Sequence, residues 1–88
     1  MPDKYQGLRE KLNNIPFPTI YMYKFVVPNK LELIADVKAL AEDENSVRLN
    51  YSKNGLYVSL TFKETKQTVE DIIMVYKKAE LIEDLMAL

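Results

Sequence analysis

The chain contains no cysteine and no histidine. Without cysteine there is neither a disulfide framework nor a thiolate-based zinc or iron–sulfur site. Without histidine it lacks the usual acid–base catalyst near neutral pH and the commonest metal ligand. Serine and threonine hydroxyls therefore have no imidazole beside them to make nucleophiles. Glycine is almost as scarce. Only Gly7 and Gly55 occur, too few for a loop that cradles phosphate. No run approaches the roughly 18–20 apolar residues of a membrane span. The N-terminal stretch MPDKYQGLREKLNN lacks the apolar centre of a signal peptide. The expectation is a soluble, cytoplasmic, non-catalytic protein with no cofactor and no membrane contact.

Charge of either sign is not in excess. Lys and Arg total 12 and Asp and Glu total 13, a formal net charge of −1. Such a chain has no broad basic field of the kind that drives binding to a phosphate backbone, so nucleic acid is the least favoured partner. Its 88 residues suffice for one domain with one core. A domain of this size buries only about 60–65% of its unfolded surface, so stability should be modest.

What the chain does have is a hairpin. Residues 47–63, VRLNYSKNGLYVSLTFK, are two alternating apolar–polar runs joined by Ser52-Lys53-Asn54-Gly55. Asn-Gly between alternating runs is the strongest short-range hairpin signal, because both residues tolerate positive φ. The alternation sends Val47, Leu49, Tyr51, Val58, Leu60 and Phe62 one way. It sends Arg48, Asn50, Ser52, Tyr57, Ser59, Thr61 and Lys63 the other.

Around the hairpin the periodicity changes. Residues 3–14 read as a short amphipathic helix capped by Asp3, with Tyr5, Leu8, Leu12 and Ile15 at helical spacing, and Ile15-Pro16-Phe17-Pro18 ends it. Residues 19–27, TIYMYKFVV, are β-branched and aromatic and read as a central strand, with Lys24 marking the face turned to water. Asn29 followed by Glu32 resembles a capping box, opening a helix whose stripe is Leu33, Ile34, Val37, Leu40 and Ala41. After the hairpin, Thr65 or Thr68 caps a helix with stripe Val69, Ile72, Ile73, Tyr76 and Ala79. Beyond it, Leu81, Ile82, Leu85, Met86 and Leu88 fall on the opposite side if the helix is continued, so a break near Ala79-Glu80 is expected. Topology then makes residues 81–88 a final strand, with Glu83 and Asp84 guarding an edge.

The order is therefore a leader over residues 1–18, then βαββαβ over residues 19–88. This is the ferredoxin-like α+β sandwich, with one antiparallel sheet in strand order 4-1-3-2. Two helices cover one sheet face. The other presents Lys24, Arg48, Asn50, Tyr57, Ser59, Thr61 and Lys63.

The chain also resembles the YbeD-like family of small bacterial proteins of unassigned function, labelled lipoate regulators, over about residues 8–88. The resemblance rests on the leader helix followed by Phe17-Pro18-Thr19, on Tyr23-Lys24, on Ser52-Lys53, on Val58 to Thr61 (VSLT), and on a short closing strand. It implies an ACT-like regulatory fold that binds small ligands or associates through its sheet. It implies no active-site residue.

The open face admits several readings. The plainest is a solvated sheet surface rich in Thr and Tyr for their strand propensity. The functional reading is a regulatory or adaptor module contacting itself, as a homodimer, or a protein partner. An ACT-like small-metabolite sensor is the alternative. An RNA-recognition module has the same element order, but residues 55–62, GLYVSLTF, match its third-strand signature poorly, and stacking aromatics spaced by two are lacking. Lys53, at the hairpin tip, reads as an ordinary turn lysine rather than a lipoyl carrier. Glu42, Asp43 and Glu44 lack the alternating oxygen spacing of a calcium loop and read as a solvated loop. Glu80, Glu83 and Asp84 offer no metal site either. A low-turnover enzyme would require a buried cluster of titratable groups.

Overall fold

The computed structural model describes residues 4–88. The capping role expected of Asp3 lies outside the described residues. The architecture is built on β1 (Thr19–Pro28) and β3 (Tyr57–Lys66), antiparallel over ten residues from Thr19 opposite Lys66 to Pro28 opposite Tyr57. The outer side of β3 pairs with β2 (Arg48–Tyr51), and the outer side of β1 pairs with β4 (Met86–Ala87). The sheet order is β2-β3-β1-β4, which counted from the other edge runs 4-1-3-2. The two most apolar strands sit in the middle and pair with each other along their full length, while β2 and β4 cover only part of their outer sides.

Three helices complete the fold: α1 (Gln6–Leu12), α2 (Leu31–Lys38) and α3 (Val69–Ala79). Their apolar stripes meet one sheet face. Leu12, Leu33, Ile34, Val37, Ile72, Val75 and Ala79 join Tyr23, Phe25, Val27, Val58, Leu60 and Phe62 in a single core. The rings of Tyr23 and Phe62 lie 5.0 Å apart, with Tyr76 edge-on to Tyr23 at 5.4 Å. Rings packed like this anchor a small core, and truncating one to Ala typically costs about 3–5 kcal/mol. The leader joins the same core through Leu12, Leu8 and Phe17. It is also held by a two-pronged Arg9–Glu70 contact, at 2.7 and 3.3 Å, onto the start of α3.

Several local expectations give way to tertiary demands. α1 begins at Gln6 with no side-chain cap, later than residue 3. Asn29 does not cap α2. The N-cap position is Lys30, and Asn29 instead donates through Nδ2 to the Gly55 carbonyl at 3.0 Å and through its backbone N–H to Leu56. A tertiary tie between β1 and the hairpin tip has displaced the local motif. Gly55 takes φ +74, while Asn54 keeps negative φ and accepts the Leu56 N–H on its side chain. Of the two threonines offered as caps, Thr68 does the capping, accepting the Asp71 N–H at 3.1 Å. The final strand is only two residues long, and residues 81–85 form turns. Glu83 and Asp84 lie in those turns and do not guard the strand edge; Asp84 adopts φ 59.

Candidate functional site

Helices cover one face of the sheet, so alternation along each strand decides what the other face shows. Even-numbered residues of β1 point away from the helices, as do Arg48 and Asn50 of β2 and the odd-numbered residues of β3. Register then assembles them into rows. Lys24, Thr61 and Arg48 lie side by side, and Val26, Ser59 and Asn50 form the next row, extended by Met86 of β4. Lys63 sits opposite Met22, and Tyr57 opposite Pro28. All seven residues singled out from the sequence thus share one surface. Lys24 faces outward as expected.

The surface is cationic and apolar together. None of its strand positions carries a carboxylate; Asp84 rims it beside Tyr57 and Pro28. The described ion pairs join Lys4 to Glu80, Arg9 to Glu70, and Lys66 to Glu42 and Glu64, so they leave Lys24, Arg48 and Lys63 without an acidic partner. Neighbouring strands are about 4.8 Å apart, so these cations reinforce one another's field across the face. The face also has an apolar part: Ile20, Met22, Val26, Met86 and Leu88. Alternation in TIYMYKFVV already placed the first three beside Lys24. Met86 and Leu88 join only because the short β4 docks there, with the Leu88 N–H donating to the Lys24 carbonyl at 2.9 Å.

Two shallow clefts mark the face. One of about 380 Å³ is lined by Ser46, Arg48, Thr61 and Lys63. Another of about 230 Å³ runs over Lys24, Val26, Asn50, Ser52, Tyr57, Ser59 and Leu88, and Tyr51, which alternation assigns to the core side, lines it too and is 54% exposed. The first places two cations beside two hydroxyls, a donor set suited to a carboxylate or phosphate oxygen.

A second polar cluster lies beneath the helices. β3 continues past Lys63, and its alternation turns Glu64 and Lys66 inward, with side chains only 4% and 8% exposed. Glu64 Oε2 accepts the Glu42 N–H at 2.5 Å, pinning the chain just after α2 to the sheet. Lys66 Nζ lies 3.0 Å from Glu64 Oε1 and 3.5 Å from Glu42 Oε1. The first of these contacts is an ion pair without hydrogen-bond geometry, since Oε1 makes no hydrogen bond. The Lys66 ammonium also sits 5.9 Å from the centre of the Tyr23 ring. Nearby, the hydroxyls of Tyr21 and Tyr76 are 2.8 Å apart. Burial first, then the Glu64 carboxylate, pushes the Tyr23 phenol well above its ordinary range. Burial, helped by the Tyr21 hydrogen bond, does the same to Tyr76. Phenols held protonated in this way suit a packed interior and not a general base.

The remaining candidates stay ordinary. Lys53 is exposed at the hairpin tip. In the Glu42-Asp43-Glu44 loop, Asp43 accepts the Asn45 N–H at 3.0 Å to cap a 3-10 turn, and no group of metal-ligating side chains converges among the described residues. No described helix is long and apolar enough to cross a membrane. No protein-family model, no curated protein and no solved structure matches the chain.

Proposed function

We propose that this chain is a small non-catalytic regulatory or adaptor module of the ferredoxin-like kind, akin to the YbeD-like proteins. It acts by gripping an acidic stretch of a partner protein on its open sheet face. One observation carries the reading: Lys24, Arg48 and Lys63 stand unpaired among Ile20, Met22, Val26, Tyr57 and Met86, and no strand position on that face is acidic. Apolar area supplies affinity, and unpaired cations select the partner and speed the encounter. Face-to-face pairing of two copies is disfavoured, because it brings the three cations of one against those of the other. RNA is disfavoured by the formal net charge of −1, although Tyr51 and Tyr57 both line the cleft over Lys24 and Ser59.

The test is titration of labelled protein with an acidic peptide, a neutral peptide of equal length and a single-stranded RNA, read by amide chemical shifts. Binding of the acidic peptide alone, with shifts at Lys24, Ser59, Thr61 and Lys63 that vanish in Lys24→Glu/Arg48→Glu/Lys63→Glu, supports the proposal. Equal binding of all three probes, or shifts confined to the helical side, overturns it. The cleft bounded by Ser46, Arg48, Thr61 and Lys63 favours one second reading, an ACT-like sensor of a small carboxylate. That reading expects thermal stabilisation by single amino acids or lipoate, and a screen without any stabilisation removes it.

A further inference from the structure

β1 and β4 are unequal in length, and the mismatch leaves backbone uncovered. β1 pairs all ten of its residues with β3, whereas β4 meets it only at Phe25 and Val26, with Leu88 adding its bond to Lys24. Because that bond reaches the Lys24 carbonyl, the even-numbered residues of β1 direct their backbone toward the β4 side. Ile20 and Met22 therefore point both N–H and C=O at an edge where no described strand lies. These are strong, obligatory hydrogen-bonding groups. Natural edges are blunted by lysine, proline or a bulge. Residues 19–23 read TIYMY and carry none of these, and the side chains of Ile20 and Met22 are 71% and 54% exposed. On the opposite edge β2 covers β3 only from Val58 to Thr61, and the overhang beyond it carries Lys63 and Lys66, the kind of residue that blunts an edge.

We infer that this edge of β1 pairs with the same edge of a second copy of the chain. Pairing of one strand with its own copy in a closed dimer requires a two-fold axis, which makes it antiparallel. The free stretch, residues 19–23, is centred on Tyr21. An axis there sets Ile20 opposite Met22 of the other copy, and each such pair exchanges both of its backbone hydrogen bonds. Thr19 then faces Tyr23. One step further, Pro18 of the other copy would meet Lys24, where Leu88 already occupies the edge and where proline has no N–H to give. Sliding the axis toward Lys24 collides with Leu88; sliding it the other way forfeits rungs. Ile20 and Met22 cover each other on the open-face side without any charge, so an acidic segment gains less here than a second copy does. The product is one continuous eight-stranded sheet with both cationic faces on the same side.

So short a pairing buries less than the roughly 1,000 Å² of a stable interface, so the dimer is concentration-dependent and in exchange with monomer. Sedimentation equilibrium from micromolar to millimolar protein, with amide exchange at both ends of that range, tests it. Mass should rise toward the dimer while the Ile20 and Met22 amides become protected, and the outward amides of Leu49 and Tyr51 on β2 stay fast. Ile20→Lys places an ammonium group at each end of the joint and should lower the association constant at least ~10-fold. Met22→Pro removes an N–H that faces the free edge, so the ladder with β3 survives and the far-ultraviolet spectrum is unchanged. Lys24→Glu/Arg48→Glu/Lys63→Glu, which abolishes capture of acidic peptide, should leave this dimer in place; the two proposals therefore fail separately. A strict monomer at millimolar concentration, a dimer indifferent to Ile20→Lys, or protection at Leu49 and Tyr51 instead overturns the inference.

Discussion

Replacing Lys66 by Met keeps most of the side-chain volume and removes only the charge, so it asks what the buried pair contributes. The ammonium lies 3.0 Å from Glu64 Oε1 inside the helical layer. At an effective dielectric of about 20, two unit charges at that distance attract by roughly 5–6 kcal/mol. Desolvating both groups costs several kcal/mol each, so the pair as a whole is close to neutral beside an apolar one. Breaking it is another matter. Lys66→Met leaves Glu64 buried with the Glu42 N–H as a donor but no cation beside it, and stranding one member of such a pair costs about 3–5 kcal/mol. For a domain of this size 3 kcal/mol corresponds to a fall in Tm on the order of 12–24 °C. Urea unfolding followed by circular dichroism measures it. Glu64→Gln combined with Lys66→Met, which keeps an acceptor for the Glu42 N–H and strands no charge, should return to within about 1 kcal/mol of the parent. If the single variant loses less than about 1 kcal/mol, or the double variant is no better than the single, the reasoning is wrong.

Two further outcomes follow from the same interior. The Tyr23 and Tyr76 phenols are held above their ordinary value in the fold, so as pH rises past about 10 the unfolded chain releases its phenolic protons first. Stability is therefore full below about pH 10 and declines above it; urea midpoints at about pH 8 and about pH 11 should differ, and Tyr76→Phe should flatten the difference. A parent midpoint that does not move, or a Phe variant with the parent's slope, counts against this. At the start of α3, Thr68→Ala should cost about 1 kcal/mol by removing the acceptor for the Asp71 N–H, while Thr65→Ala on the exposed face should change stability by less than about 0.5 kcal/mol. Equal losses at the two positions would show that the cap contributes nothing particular.

Much of the architecture is legible in periodicity. TIYMYKFVV announces a strand whose outward face is marked by Lys24, and the reversal of the apolar stripe after Ala79 announces the end of α3. What escapes is whatever depends on distant partners. Alternation carried on from Phe62 already places Glu64 and Lys66 on the core side, yet their charge argues for water; their mutual compensation, with Glu42 brought in from 22 residues away, reconciles the two. Asn29 and Glu32 satisfy a local capping pattern, but the Gly55 carbonyl outcompetes it from across the sheet. The open face was read from its polar members, since these interrupt an apolar pattern. Alternation puts Ile20, Met22 and Val26 on the water-facing side with Lys24, although apolar residues in a strand ordinarily signal a core. That the backbone of Ile20 and Met22 is left unpaired depends on the length of β4, and two residues of strand leave no periodic trace.

The sorting of charge onto one side has a consequence for handling the protein. A sequence pI of about 5.4 describes a sum, and the sum conceals a sheet face whose strand positions carry three cations and no carboxylate. Such a molecule should bind both anion- and cation-exchange resins at one pH, in opposite orientations. It should also turn its sheet toward an anionic support, hiding from solution the surface whose ligands are being sought, so immobilisation through a defined residue on the helical side is the sounder geometry for a binding measurement.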